Sequence, residues 1–316
     1  MSLSSATPFE IAPCAICGCE VATTAYVGFD RLHGLPGKFT LVKCCECGLV
    51  YLRPRPSKEA IAAYYPDDYL GFRSSSQSEG TLLAGLDAVL SRRKRCGVVL
   101  RYKKRGKLVD VGCATGNFLF DMRSYPGWEV YGVEVNHKAS LHCREHLGID
   151  VITGDLLQAR FKSASVDVVT FWDVLEHIHN PRDVLDECNR ILVDKGILLV
   201  TVPNLNSIDA SIFGDSWAGL DFPRHLYVFS RDTIEKLLNQ SGFEVVDTLC
   251  LTGRQHSFAL SLQFLAVDKV GNAKRVYEFA IKALRFPPAR ILCFPYFYLA
   301  DAFKLGSSIT VVARKC

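Results

Sequence analysis

Four cysteines in two C-x-x-C-G steps stand near the start of this sequence: Cys14 and Cys17 in CAICG, Cys44 and Cys47 in CCECG. Each step brings two thiolates to one point, and the glycine behind it tolerates the tight turn. Four thiolates in a tetrahedron suit Zn2+, and a closed four-sulfur site is structural. Unligated thiols are the bland account of the same residues. Cys19 and Cys45 fall outside the pairing, and Cys45 takes the place of Cys44 if the register moves by one.

A second set lies in VDVGCATGNF, residues 109–118, where an apolar run ends in an acid and two spaced glycines. A dinucleotide fingerprint would need G-x-G-x-x-G. Counted from Gly112, its second and third glycines are Ala114 and Asn117. What remains is Asp110, Gly112 and Gly116 in D-x-G-x-x-x-G, a turn with no pyrophosphate to cradle. An acidic, glycine-lined turn suits S-adenosylmethionine, which carries an ammonium beside a carboxylate and a sulfonium. Three more acids close apolar runs: Glu134 in VYGVEVN, Asp155 in VITGDL and Asp173 in FWDVLEHI. Glu134 would take both ribose hydroxyls, Asp155 the adenine amino group, and Asp173 would stand beside the cofactor. Any one of them is more often a cap or a solvated acid.

The elements that must position these residues read as alternating strands and helices from Lys107 onward. Strands are expected at KLVDVG, EVYGVEV, DVITGD, VDVVTFWDV, GILLVTVPN, FEVVDTLCL and SSITVVARK. Such a chain folds as a doubly wound α/β sheet with ligands at the carboxyl ends of its strands. Between the cysteine knuckles, β-formers alternate with Gly/Pro turns, as in a ribbon hairpin too small for its own core. Residues 92–107 hold nine basic residues, read either as a solvated helix face or as a phosphate-binding one. Residues 283–306 are apolar and aromatic, suited either to covering the core or to a membrane interface.

The 316 residues carry a net charge of +4 and 13 cysteines. A mild charge does not point to nucleic acid, and an odd cysteine count without a recognisable secretion signal suggests reduced thiols in the cytoplasm. No run of ~18 or more apolar residues suggests a spanning helix.

VDVGCATGNF, GVEVN, TGD and FWDVLEHI together resemble the class I S-adenosylmethionine-dependent methyltransferases. With the CxxCG…CxxCGLVY module, the chain is similar to bacterial members that modify sugars and small metabolites, and LDFPRHLYVFS (220–230) resembles a stretch those enzymes carry. The resemblance implies a seven-stranded Rossmann-like sheet in the order 3-2-1-4-5-7-6, strand seven antiparallel. It implies a zinc ribbon over 1–56, a helical linker over 57–106 and a methyltransferase domain over 107–316. Within that domain a lid falls at about 206–230 and an apolar insertion at about 256–306. Positions adjoining the acids complete the candidate cofactor wall: Cys113, Ala114, Asn117, Phe118, Val135, Leu156, Trp172 and Val174. Core packing accounts equally well for Phe118 and Trp172. His177, past the fourth strand, and His225 with Tyr227, on the lid, are the candidate catalytic residues; His177 either lines the pocket or takes a proton. The expected acceptor is a small polar molecule, a sugar or glycan precursor, with lipid-linked or peripheral membrane contact as a further expectation. RNA methylation and a non-catalytic adaptor that binds the cofactor are the competing readings.

Overall fold

The computed structural model describes residues 9–65, 82–251, 254–270 and 287–316. The expected polar segment 73–80 and parts of the apolar insertion lie outside the described residues. The chain begins with β1 (Phe9–Glu10), β2 (Ala22–Gly28), β3 (Phe39–Cys44), β4 (Val50–Leu52) and β5 (Arg55–Pro56). Helix α1 (Leu82–Tyr102) follows, then β6 (Gly106–Val111), α2 (Asn117–Arg123), β7 (Trp128–Glu134), α3 (His137–Leu147), β8 (Asp150–Thr153) and β9 (Val166–Trp172). The second half comprises α4 (Pro181–Ile191), β10 (Leu192–Pro203), α5 (Ile208–Phe213), β11 (Tyr227–Val228), α6 (Arg231–Gln240), β12 (Phe243–Leu249), α7 (Arg254–Val270), α8 (Pro287–Ala302) and β13 (Ser308–Lys315).

Seven strands form the main sheet in the order β12-β13-β10-β9-β6-β7-β8. Numbered along the chain and read from the β8 edge, that is 3-2-1-4-5-7-6. The pairs β7–β8, β6–β7, β6–β9 and β9–β10 are parallel, while β13 runs antiparallel to both β10 and β12. The central strands are apolar almost throughout because helices cover both faces: every residue of β10 from Ile197 to Pro203 is buried and apolar except the buried Thr201, and Val168, Val169 and Phe171 of β9 are fully buried. Helix starts follow local capping rules. Asn136 caps α3 by accepting the Ala139 amide at 3.0 Å, and Ser230 caps α6 in a reciprocal box with Thr233.

Helix α1 belongs to the body of this fold. Cys96, Val98 and Val99 are buried in one apolar cluster with Leu108, Phe118, Leu119 and Met122. Its outer charges are partly paired: Arg92 with Asp121 at 2.7 Å, Arg95 with Asp173 at 3.4 Å and Arg101 with Asp247 at 3.6 Å. The basic run is therefore in part a seam that ties the helix to the sheet, rather than a wholly solvated face.

The ribbon is likewise joined to the rest. Its sheet has four strands in the order β11-β4-β3-β2, and β11 arrives from residues far along the chain. Leu41, Leu49 and Leu52 of the ribbon share a core with Val109, Phe171 and Leu226. A small cysteine-bearing hairpin thus gains apolar burial from the larger body, which answers its lack of a core.

Where the N-terminal strands meet the segment expected to act as a lid, Arg224 is fully buried. It donates to Asp30 at 2.8 and 3.0 Å and to Asp221 at 2.6 and 3.0 Å. Burial disfavours any ion, but two carboxylates answer this one and keep the guanidinium charged. Burial would also raise the Asp221 carboxyl, yet the Arg224 hydrogen bonds hold it below the ordinary aspartate value. Its stabilising contribution is present above that ordinary value and is lost as pH falls through the lowered one. Arg224→Ala leaves buried carboxylates unanswered and should destabilise the chain by roughly 3–5 kcal/mol. Urea unfolding at neutral pH measures this, and the variant should lose less of its remaining stability than wild type when acidified below pH ~4.

Candidate active site and cysteine centre

The four parallel strands β6–β9 deliver their acids to one side. Strand β6 ends in the turn where Gly112 has φ 71°, Ala114 φ 47° and Gly116 φ 75°. A Cβ on Gly112 would lie 2.6 Å from Val174, and one on Gly116 2.8 Å from the Cys143 sulfur. Both positions need glycine twice over, for the left-handed backbone and for space.

Glu134, nearly buried, accepts the Ala114 amide at 2.8 Å and the Asn136 amide at 2.7 Å, one on each carboxylate oxygen. It therefore clasps the glycine turn while keeping lone pairs for a ligand. Burial raises its carboxyl, and those amides oppose the rise. Asp110 is 3% exposed and accepts the Thr170 hydroxyl at 2.6 Å. Burial pushes its carboxyl up to about 7, with Thr170 and Arg95 pulling down and Glu134 adding repulsion.

Asp173 has φ 60° and lies beside Arg95, whose guanidinium carbon stands 5.0 Å from the Trp172 ring centre. Desolvation raises its carboxyl and Arg95 opposes this; water still reaches 43% of the side chain, so the desolvation is partial. Asp155 is engaged by Lys58 at 3.1 Å and by the Gln158 amide at 3.0 Å. Its carboxylate caps a turn in the way the bland reading of such acids expects. Phe118 packs edge-on against Trp172 with ring centres 5.3 Å apart, Leu156 is buried, and Val174 packs beneath the turn. Val135 is exposed, Asn117 donates to the Thr115 hydroxyl at 2.9 Å, and Cys113 is buried under the turn.

Beyond β9, a single 3₁₀ turn (Leu175–His177) carries His177 against the lid. The rings of His177 and His225 are 4.7 Å apart, so these two sequence candidates do come together. The His177 Nδ1 lies 3.0 Å from the Arg224 carbonyl and 2.9 Å from the Tyr65 hydroxyl. Burial, with His225 beside it, drives the His177 pKa down to about 3, which makes it a neutral wall residue and a feeble base. His225 sets its Nδ1 2.8 Å from the Gly219 carbonyl. A carbonyl only accepts, so Nδ1 carries the hydrogen and Nε2 offers the lone pair.

Tyr227 has a different setting from the catalytic role expected of it. It is buried, its hydroxyl accepts from Arg55 at 2.7 Å and donates to the His179 carbonyl at 2.8 Å, and its backbone pairs with Tyr51 of β4. The phenol thereby joins Arg55 of β5 to the loop that carries His179. Its residue type suggested chemistry; only the cross-domain partners show the clasp.

The sequence reading also passed over Arg95 and Glu176. Arg95 was one of a basic run, and the signal available was its neighbour Cys96 on the buried helix face. Glu176 adjoins His177 in sequence, and nothing local marks it as buried.

At the other end of the ribbon, the sulfurs of Cys14 and Cys47 are 3.3 Å apart, those of Cys17 and Cys44 3.5 Å, and all four lie within 4.8 Å of one another. A tetrahedral zinc with Zn–S of ~2.3 Å requires spacings of about 3.8 Å, so the donor set fits. Burial would raise the Cys44 thiol, but the Cys47 and Glu46 amides and neighbouring sulfurs bring it to about 6, favouring thiolate. Cys45, exposed, sends its amide to Val21 and stays outside the cluster, as does Cys19.

With the fold and site in view, comparison with known proteins places the chain. The family model described as "Methyltransferase domain" matches residues 88–248, just over half of it. A "Probable S-adenosylmethionine-dependent methyltransferase" of Mycolicibacterium smegmatis is 29% identical over 146 residues, covering 45% of this chain and 53% of that one. A ubiquinone biosynthesis O-methyltransferase of Cereibacter sphaeroides is 27% identical over 179 residues, covering 52% and 71%. The chain matches about half the length of the mycobacterial relatives. A solved structure of the [4+2]-cyclase SpnF aligns with a TM-score of 0.48 at 19% identity, covering 76% of this chain and 84% of that one. The chain belongs to the methyltransferase-domain family, of the class I S-adenosylmethionine-dependent kind.

Two outcomes test the site. Asp110 has a raised carboxyl, so its contribution to stability is full below the ordinary aspartate pKa and lost as pH rises through about 7. Asp110→Asn should therefore remove a fall in stability of on the order of 2–4 kcal/mol between pH ~4 and ~8, read by denaturant unfolding across pH. Purified wild type should carry about one zinc per chain by elemental analysis, and Cys44→Ser close to none.

Proposed function

We propose that the chain transfers the methyl group of S-adenosylmethionine to a hydroxyl of a small polar acceptor, a sugar or glycan precursor. The observation that carries this reading is the Glu134 clasp on the glycine turn: a buried carboxylate fixed by the Ala114 and Asn136 amides at the end of β7. That arrangement presents fixed lone pairs where two adjacent ribose hydroxyls would bind. In this reading Asp110, Gly112, Cys113, Ala114, Gly116, Asn117 and Phe118 form the turn around the amino-acid end of the cofactor. Arg95 over Trp172 suits its carboxylate. Val135, Asp155, Leu156, Asp173 and Val174 border the adenosine.

When bound, the cofactor supplies an electrophilic methyl carbon on a sulfonium. The chain's own residues must bind it, hold the acceptor in line and exclude water, and alignment can be worth roughly 7–11 kcal/mol. An alcohol also benefits from a positioned base. His225 is the group suited to that task, because the Gly219 carbonyl engages its Nδ1–H and leaves the Nε2 lone pair to take a proton. His177, kept neutral, is the wall against which the acceptor rests. In this reading the four cysteines hold a structural zinc. The ribbon over 1–56 fixes the lid over about 206–230 through the Arg224 and Tyr227 contacts.

The relatives named for O-methylation support a hydroxyl acceptor. The RNA reading loses support from the basic helix, since Arg92, Arg95 and Arg101 are drawn to carboxylates of the same chain. Among the described residues no helix is long and apolar enough to cross a membrane. Tyr298, Leu299 and Phe303 are exposed at the end of α8, which suits a lipid-linked acceptor or contact with a membrane surface.

Isothermal titration of S-adenosylmethionine and S-adenosylhomocysteine tests the reading. Wild type should bind both, and Glu134→Ala neither; equal affinity in that variant overturns the assignment. Once an acceptor is found by labelled-methyl screening, His225→Gln should slow transfer by about 10²- to 10⁴-fold with cofactor affinity nearly unchanged.

A further inference from the structure

We infer that α8 seats the chain on the surface of an anionic lipid bilayer: its outer face is an exposed apolar stripe, set among an excess of Lys and Arg. The inference rests on the membrane contact named in the reading above, to which it gives particular residues and a lipid charge, and not on methyl transfer.

Helix α8 is apolar on two sides. Phe297 and Ala300 are buried, and Phe258 of α7 meets the Tyr296 ring at 5.8 Å and the Phe297 ring at 6.0 Å. Tyr296 also donates to Asp209 of α5 at 2.6 Å. These contacts fix the rotation of the helix about its axis. The opposite face carries Pro295, Tyr298, Leu299, Ala302 and Phe303, all exposed, at the i, i+3, i+4, i+7, i+8 spacing of a single stripe. Phe303 follows the last helical residue, but its amide still donates to the Leu299 carbonyl at 3.0 Å and keeps the register. Tyr298, Leu299 and Phe303 are 58%, 52% and 71% exposed, so each leaves most of its side chain in water. The stripe does not stop there. The Leu305 carbonyl accepts the Ile208 amide at 3.1 Å, and α5, which begins at Ile208, exposes Ile212 one turn on. A helix face turned to water is ordinarily polar. A row of exposed aromatic and aliphatic side chains marks a surface that meets something apolar.

Charge says which apolar partner. Residues 254–304 hold eight Lys and Arg against three Asp and Glu. Lys304, next to Phe303, and Arg101 of α1 both reach Asp247, at 3.9 and 3.6 Å. One carboxylate thus lies between two cations, and positive charge is in excess at the end of the stripe. Lys104 and Arg105, just past α1, are exposed as well. Apolar and aromatic side chains beside Lys and Arg are the make-up of helices that lie among the headgroups of anionic membranes. A second copy of the chain would bring like charges together, whereas acidic headgroups answer them. The stripe on α8 runs for about 12 Å. No helix among the described residues is long and apolar enough to span, so the contact is with the surface. Helix α7, on which α8 packs, offers its Ser261 hydroxyl to the Ala218 amide at 2.9 Å. The lipid-facing helix is thereby joined to the segment that carries His225, the side from which an acceptor held in a membrane would arrive.

Sedimentation of the full chain with lipid vesicles tests this. Wild type should bind vesicles of equimolar phosphatidylcholine and phosphatidylglycerol about tenfold or more tightly than phosphatidylcholine alone, and added salt should narrow the difference. Leu299→Ser and Phe303→Ser should each lose about tenfold in vesicle affinity, with S-adenosylhomocysteine affinity unchanged as the measure of an intact fold. Equal binding to the two kinds of vesicle overturns the proposal. So does binding that both serine variants leave unchanged, or no binding at all. A wild-type dimer that Leu299→Ser converts to monomer in sedimentation velocity also overturns it, because a second copy then covers the stripe. Failure of wild type to bind S-adenosylhomocysteine would overturn the methyl-transfer reading instead, and the vesicle comparison then stands with urea unfolding as the measure of fold.

Discussion

The buried Arg224 is the constraint on which the arrangement of ribbon, lid and sheet depends. One guanidinium bridges Asp30, in the turn after β2, and Asp221, in the lid. A planar fork with five donors can satisfy two carboxylates at once, which an ammonium cannot. Because His225 is the next residue, the same clamp that seats the ribbon also sets the imidazole against Glu176 and His177. The N-terminal module is thus joined to the segment that carries His225, through Asp30 and through the pairing of β4 with β11.

The strand ends carry an unusual load of buried acid. Asp110, Glu134 and Glu176 are each almost wholly out of water, and burial raises all three carboxyls. Their settings differ. Asp110 has Thr170 and Glu134 has two amides, whereas among the described residues neither Glu176 carboxyl oxygen has a hydrogen-bond partner. Acids kept at such a cost to stability are characteristic of functional positions. Here they divide into Asp110 and Glu134, at the glycine turn, and Glu176, beside His225.

Much of this was readable along the chain. The seven strands announced themselves as apolar runs, because a parallel sheet covered on both faces leaves few places for polar residues. Gly112 and Gly116 were legible because a left-handed turn admits little else. The cysteine quartet was legible because two ligands three residues apart share one knuckle whatever surrounds them, and the choice of Cys44 over Cys45 was within one register step. These are properties of neighbours in sequence.

Arg224, Arg95, Glu176 and Tyr227 were not legible in the same way. Arg95 sits in a run of like charges, yet only its own rotation on α1 brings it over Trp172. Tyr227 has the residue type of a catalytic group and the environment of a strut, because Arg55 and the His179 carbonyl meet on its hydroxyl. The sequence by itself determined the sheet, its order by resemblance, the glycine turn and the cysteine centre. Only the tertiary structure decided which acid faces which base, because polar partners lie up to 194 residues apart in the Arg224–Asp30 pair, and no local pattern encodes such a separation.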